Sequence, residues 1–147
     1  MDVSTTVEAD VPIVVERPMY FIYGIDEGKS WDGGESALGN PAPSTMYLLA
    51  EGTTIDGFDT FYTLSNSWEK YCNVKVDYIL GSGKVVEKEY SIAPHSRLTI
   101  KVNDVVTEKT DVSASIYAPW PIALERPMYF NYQGITGGHN VVGFGRD

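Results

Sequence analysis

The tripeptide Glu-Arg-Pro occurs twice, as Glu16-Arg17-Pro18 and as Glu125-Arg126-Pro127. A carboxylate beside a guanidinium could begin acid–base chemistry, but that work needs a second acid, a base or a nucleophile, and neither copy brings one at an informative spacing. The same pair next to a proline suits charge-assisted pairing at a seam, between sheets or between neighbouring units. These six residues are therefore read as structural and interfacial. No nucleophile, base and orienting group can be named together in the chain, so the sequence predicts a non-enzyme with no cofactor.

Trp31, Trp68 and Trp120, with ten tyrosines, are the other candidates. Flat aromatic rings stack on sugar rings, and they also fill β cores and seal interfaces. Trp120 lies between Pro119 and Pro121, and Trp31 and Trp68 fall in expected loops. That placement is expected to expose them, and a glycan is the ligand such a platform would take.

The remaining motifs reduce to turns. Gly81-Ser82-Gly83-Lys84 ends like a phosphate loop, but Val85 stands where a metal-binding hydroxyl is required and a strand follows instead of a helix. His95 and His139 sit in turn-like contexts without a second ligand at metal spacing. Asp26-Glu27, Trp31-Asp32-Gly33-Gly34-Glu35 and Asp56-Gly57-Phe58-Asp59 offer oxygens to calcium, but none has the alternating carboxylates of a dedicated loop. No metal site is expected. Cys72 is the only cysteine, which excludes an intrachain disulfide.

Composition narrows the class further. The 147 residues carry 20 acidic against 11 basic side chains, a formal charge of −9 spread along the chain, so nucleic acid is a poor partner. No run approaches the roughly 18 apolar residues of a membrane-spanning helix, and no membrane insertion is expected. Met1-Asp2-Val3-Ser4 lacks the basic start and apolar stretch of a signal peptide.

Self-similarity organises the rest. Residues 2–23 match residues 111–132 at 13 of 22 positions, 109 residues apart, including an unbroken Glu-Arg-Pro-Met-Tyr-Phe. The match resumes 104 residues apart, with Gly33-Gly34-Glu35-Ser36-Ala37-Leu38-Gly39 against Gly137-Gly138-His139-Asn140-Val141-Val142-Gly143. Residues 45–147 are expected to form a complete unit, residues 1–39 the end of a preceding one, and the proline-bearing stretch 40–44 the linker.

Short β-rich runs between Gly, Pro, Asn and Asp turns predict an all-β fold, an antiparallel β-sandwich of immunoglobulin-like or transducer-like form with an extra N-terminal strand pair. Expected strands are Thr45–Glu51, Phe58–Ser65, Asn73–Leu80, Val85–Ile92, Arg97–Val102, Asp111–Tyr117, Ile122–Tyr132 and a short last one at Asn140–Phe144. Turns are expected at Gly81–Lys84, Ala93–Ser96 and Val102–Asp104. Proline cannot donate to a ladder, so Pro18 and Pro127 should mark an edge strand or a bulge. The N-terminal tail carries Val11, Ile13, Val14, Val15, Met19, Phe21 and Ile22, each worth about 1.5–3 kcal/mol if buried. It is expected to pair with a sheet edge of the 45–147 unit or to exchange with another chain.

The string Tyr47-Leu48-Leu49-Ala50-Glu51-Gly52-Thr53, then Gly57-Phe58, Leu64-Ser65-Asn66, Pro121-Ile122, Glu125 through Tyr132 and Gly137 through Gly143, resembles tandem repeats of unknown function in large secreted and surface-attached prokaryotic proteins. More distantly, Ala50-Glu51-Gly52, the central hairpin and Asp10-Val11-Pro12-Ile13-Val14-Val15 look like the sensory-rhodopsin transducer family, whose members are small oligomeric β-sandwiches. The internal duplication and the Gly-Gly-His segment depart from the transducer pattern. The first resemblance implies an extracellular or cell-surface structural or adhesive module whose partners are neighbouring repeats, or copies of itself, through strand pairing. A carbohydrate-binding module and a small oligomeric signalling protein are the alternatives.

Overall fold

Alternation of side chains fixes the sheets. In β5 (Cys72–Leu80), Val74, Val76, Tyr78 and Leu80 are buried while Lys75, Asp77 and Ile79 between them are not, the period of two that a half-covered strand requires. The computed structural model describes residues 3–23 and 31–146. Its other elements are β1 (Glu16–Tyr23), β2 (Trp31–Leu38), β3 (Ser44–Leu49), β4 (Phe58–Asn66), β6 (Val85–Ile92), β7 (Ser96–Lys101), the single turn of α1 (Val102–Val105), β8 (Val112–Tyr132), β9 (Ile135–Val142) and β10 (Phe144–Gly145).

β8 joins the two layers. Its first half pairs with β3 on one side and β5 on the other, and its second half pairs with β4 and β9. The layers are thus β10-β3-β8-β5-β6 and β9-β8-β4-β7, all antiparallel, with β8 passing from one to the other. The passage falls at Ala118-Pro119-Trp120-Pro121, where two residues have no N–H for a ladder. Two separate strands were expected here; the prolines bend one strand instead of ending it. Between the layers lie Tyr47, Tyr62, Leu64, Val76, Tyr78, Ile116 and Leu124, all essentially without solvent contact.

The sequence places most strands to within two residues, and the Gly81–Lys84 hairpin forms with Gly83 at φ +84° and Leu80 N–H bonded to Lys84 O at 2.9 Å. Four further features differ. β9 is a full strand from Ile135, because Gly137 and Gly138 give Phe130 and Tyr129 room across the ladder. Residues 102–105 close a helical turn, with Val106 N–H bonded to Val102 O. Pro127 sits neither at an edge nor in a bulge. The ladder to β9 runs past it unbroken, while that to β4 lapses between Thr60↔Met128 and Thr63↔Glu125 and resumes in the same register. Pro18, in contrast, lies in β1, which among the described residues pairs with β2 alone and so has a free edge.

The fourth difference concerns the tail. Among the described residues β1 and β2 pair with each other, in the register that β8 and β9 use: Glu16↔Leu38 matches Glu125↔Val142, and Phe21↔Gly33 matches Phe130↔Gly137. This hairpin adds to no edge of the larger sheet. It lies flat on the outer face of the β9-β8-β4-β7 layer, because Gly33 and Gly137 leave the backbones free to approach.

Candidate functional site

The hairpin seam brings the two copies of the repeated motif together. Leu124, Arg126 and Met128 of β8 face the core, so Glu125 and Tyr129, which alternate with them, face outward, towards the hairpin. Arg17 Nη2 donates to Glu125 Oε2 at 2.9 Å, and Asn140 Nδ2 donates to the same oxygen at 2.7 Å. Phe21 meets Tyr129 edge to face, with centroids 4.8 Å apart, and its ring fills the space left by the missing side chain of Gly138. Thr136 Oγ1 donates to Asp32 Oδ1 at 2.9 Å. The ion pair is half open to solvent at Arg17, which limits it to about 0–1 kcal/mol; the aromatic contact and its buried area carry more.

Glu35 is the strained member of the seam. Both carboxylate oxygens are buried without a hydrogen-bond partner. Burial pushes its pKa above the ordinary 4.5, Arg17 pulls it back, and Glu125 pushes it up again. Asp32, Gly33, Gly34 and Glu35 belong to β2 and not to the turn expected of them.

The two Glu-Arg pairs have separated fates. Glu16 and Pro18 are exposed on β1, while Pro127 is buried in β8. Arg17 reaches across the seam; Arg126 turns inward and is 3% exposed, with its Nε buried and unpaired. Burial lowers its pKa, against the opposing effects of Glu51 and Tyr62. His139 is a β9 residue beside it, not a turn residue, and burial together with Arg126 holds the imidazole below 6.5. His95 is in its turn, at φ +47°.

Of the three tryptophans, two come together. Trp68 Nε1 donates to Pro121 O at 2.8 Å, Trp120 Nε1 donates to Tyr71 O at 3.3 Å, and Lys70 Nζ lies 5.6 Å from the centre of the Trp120 ring. Trp68 and Tyr71 are exposed, so an aromatic edge forms beside the β8 passage. Trp31 is buried in β2 and takes no part, because the expected loop is a strand. A groove of about 450 Å³ lies elsewhere, lined by Glu51, Gly52, Phe58, Asp111, Ser113 and Met128 among others. Among the described residues no group of three His, Cys, Asp or Glu is placed to hold a metal ion; Asp26-Glu27 lie outside them.

No family model and no curated protein matches the chain. Solved structures do. A protein described as Thermotoga maritima 1070 superposes with a TM-score of 0.66 at 12% identity, over 71% of this chain and 96% of its own. The Anabaena sensory rhodopsin transducer superposes with a TM-score of 0.52 at 16% identity, over 57% of this chain and 95% of its own. The likeness is one of fold. Each neighbour is nearly used up by the match while more than a quarter of this chain is left over, so one sandwich accounts for the neighbours but not for the whole of this chain.

Proposed function

We propose that this chain is a non-catalytic structural module of a repetitive extracellular or cell-surface protein, working by adhesion between like units. The observation that carries this reading is the seam: the hairpin of one repeat copy rests on the outer face of the same hairpin in the next copy, with Arg17 on Glu125 and Phe21 on Tyr129. An arrangement in which each copy offers a face to its neighbour is what a stacked array needs. The acidic excess favours solubility of such an array. Brief proteolysis of intact source cells should release peptides of this chain into the medium, as a surface protein requires. Recovery only after lysis would overturn the reading.

The Trp68–Tyr71–Trp120 edge favours a second reading, a weak glycan surface, with Lys70 held over one of its rings. Quenching of tryptophan fluorescence by bacterial or plant polysaccharides, lost in Trp68→Ala, would support it; no response would remove it.

A further inference from the structure

We infer that the β3–β7 block has two strands able to close it, and that residues 3–23 form a second closing strand held in reserve. The repeat makes the comparison residue by residue. Val3, Val7 and Ile13 are 67%, 51% and 55% exposed, while their counterparts Val112, Ile116 and Ile122 in β8 are 1%, 0% and 1% exposed. A row of apolar side chains this open marks a surface that another element covers; the matching row of β8 is buried in the core between the layers, with β3 and β5 as ladder partners of its first half and β4 of its second.

Most core-facing residues of β8 that differ in the tail are small changes, the exception being Trp120, packed against the core, which becomes Val11. Ile116 becomes Val7, Leu124 becomes Val15 and Ala114 becomes Thr5, while Val3, Ile13, Arg17 and Met19 repeat Val112, Ile122, Arg126 and Met128. The face of the hairpin now docked on the outer layer, with Arg17, Met19 and Phe21, is the one that corresponds to the inner face of β8 and β9. Glu35 would stand where His139 stands, on the inward face beside the guanidinium, adding a second carboxylate to the one that Glu51 already brings there. Gly39 repeats Gly143, where a Cβ would lie 2.8 Å from Tyr47 Cδ1 and 2.9 Å from Leu124 Cδ2.

Connectivity permits the exchange within one chain. β10 runs along β3, and Arg146 N–H bonds Met46 O at 2.9 Å, so the chain leaves β9 beside the start of β3. That is where 39–43 would deliver the N-terminal hairpin, giving a circularly permuted sandwich, a rearrangement folds tolerate when the joined ends are close. The slightly smaller side chains of the tail leave β8 as the preferred closure.

The test uses the full chain. Ile116→Asp places a charge at the centre of the β3-β8-β5 ladder. The expected result is a chain that still unfolds cooperatively as a monomer at a lower Tm, while Val7→Asp alone leaves Tm unchanged and Val7→Asp/Ile116→Asp has no cooperative transition. In the Ile116→Asp background, Glu8→Cys and Lys75→Cys should form a disulfide on mild oxidation, since Lys75 faces Tyr117, the counterpart of Glu8. An Ile116→Asp chain that has lost cooperative unfolding by itself, or that folds only as a dimer, overturns the inference.

Discussion

Arg17 and Glu125 belong to the two copies of one tripeptide, and their side chains meet at 2.9 Å across the seam between those copies. The pair joins one copy of the motif to the other, and its strength is limited by its exposure.

Arg17→Ala should therefore lower the stability of hairpin docking by about 0–1 kcal/mol, and Phe21→Ala by about 2 kcal/mol or more, through lost burial and the edge-to-face contact. Amide exchange of β2 reads both. Equal effects would mean that charge, not the ring, holds the hairpin.

Glu35 makes docking pH-dependent. Its pKa is raised in the folded chain, so the folded state binds more protons than the unfolded one between the ordinary 4.5 and the raised value. Stability tied to this group is fully present below 4.5 and falls as pH rises through the folded value. Glu35→Gln should raise Tm at pH 7 and flatten this part of a Tm-against-pH curve; an unchanged slope would contradict the burial argument.

Arg126 is buried with its Nε unpaired. Replacing a poorly compensated buried cation by an apolar side chain of similar length is often neutral or stabilising, by about 1–4 kcal/mol. Arg126→Met should hold or raise the urea midpoint, whereas Arg126→Ala, which leaves a cavity, should lower it.

Gly143→Ala tests where β9 crosses to β10. The added methyl meets Tyr47 and Leu124 at under 3 Å, and overpacking of this kind costs about 1–3 kcal/mol. Gly83, at φ +84° with nothing within 4 Å of an added Cβ, separates backbone from packing cost. Gly83→Asn should be nearly neutral, since asparagine tolerates that conformation. A Gly143→Ala chain with wild-type Tm would show that the crossing yields.

Strand positions were legible because burial alternates along β4 and β5 and glycine-rich turns punctuate them. The repeat was legible because thirteen identities in twenty-two survive. Periodicity did not reveal that Pro119 and Pro121 bend one strand between layers, since a proline that bends and one that ends a strand look alike. Pro127 misled for a related reason: a central strand dispenses with a ladder bond when the register on both sides is held by neighbours. The seam drew only half a signal. Both Glu-Arg pairs were visible, but that Arg17 crosses and Arg126 turns inward depends on which face each strand shows. Glu35 was missed as a buried group because an acidic residue after two glycines reads as a solvated turn.

The start of β3 and the end of β10 lie side by side and run in opposite directions. Tension applied through residues 44 and 146 would therefore peel β10 from β3 one rung at a time instead of shearing the ladder at once. A string of such sandwiches linked through those points would lengthen under modest load and behave as a compliant tether rather than a stiff rod.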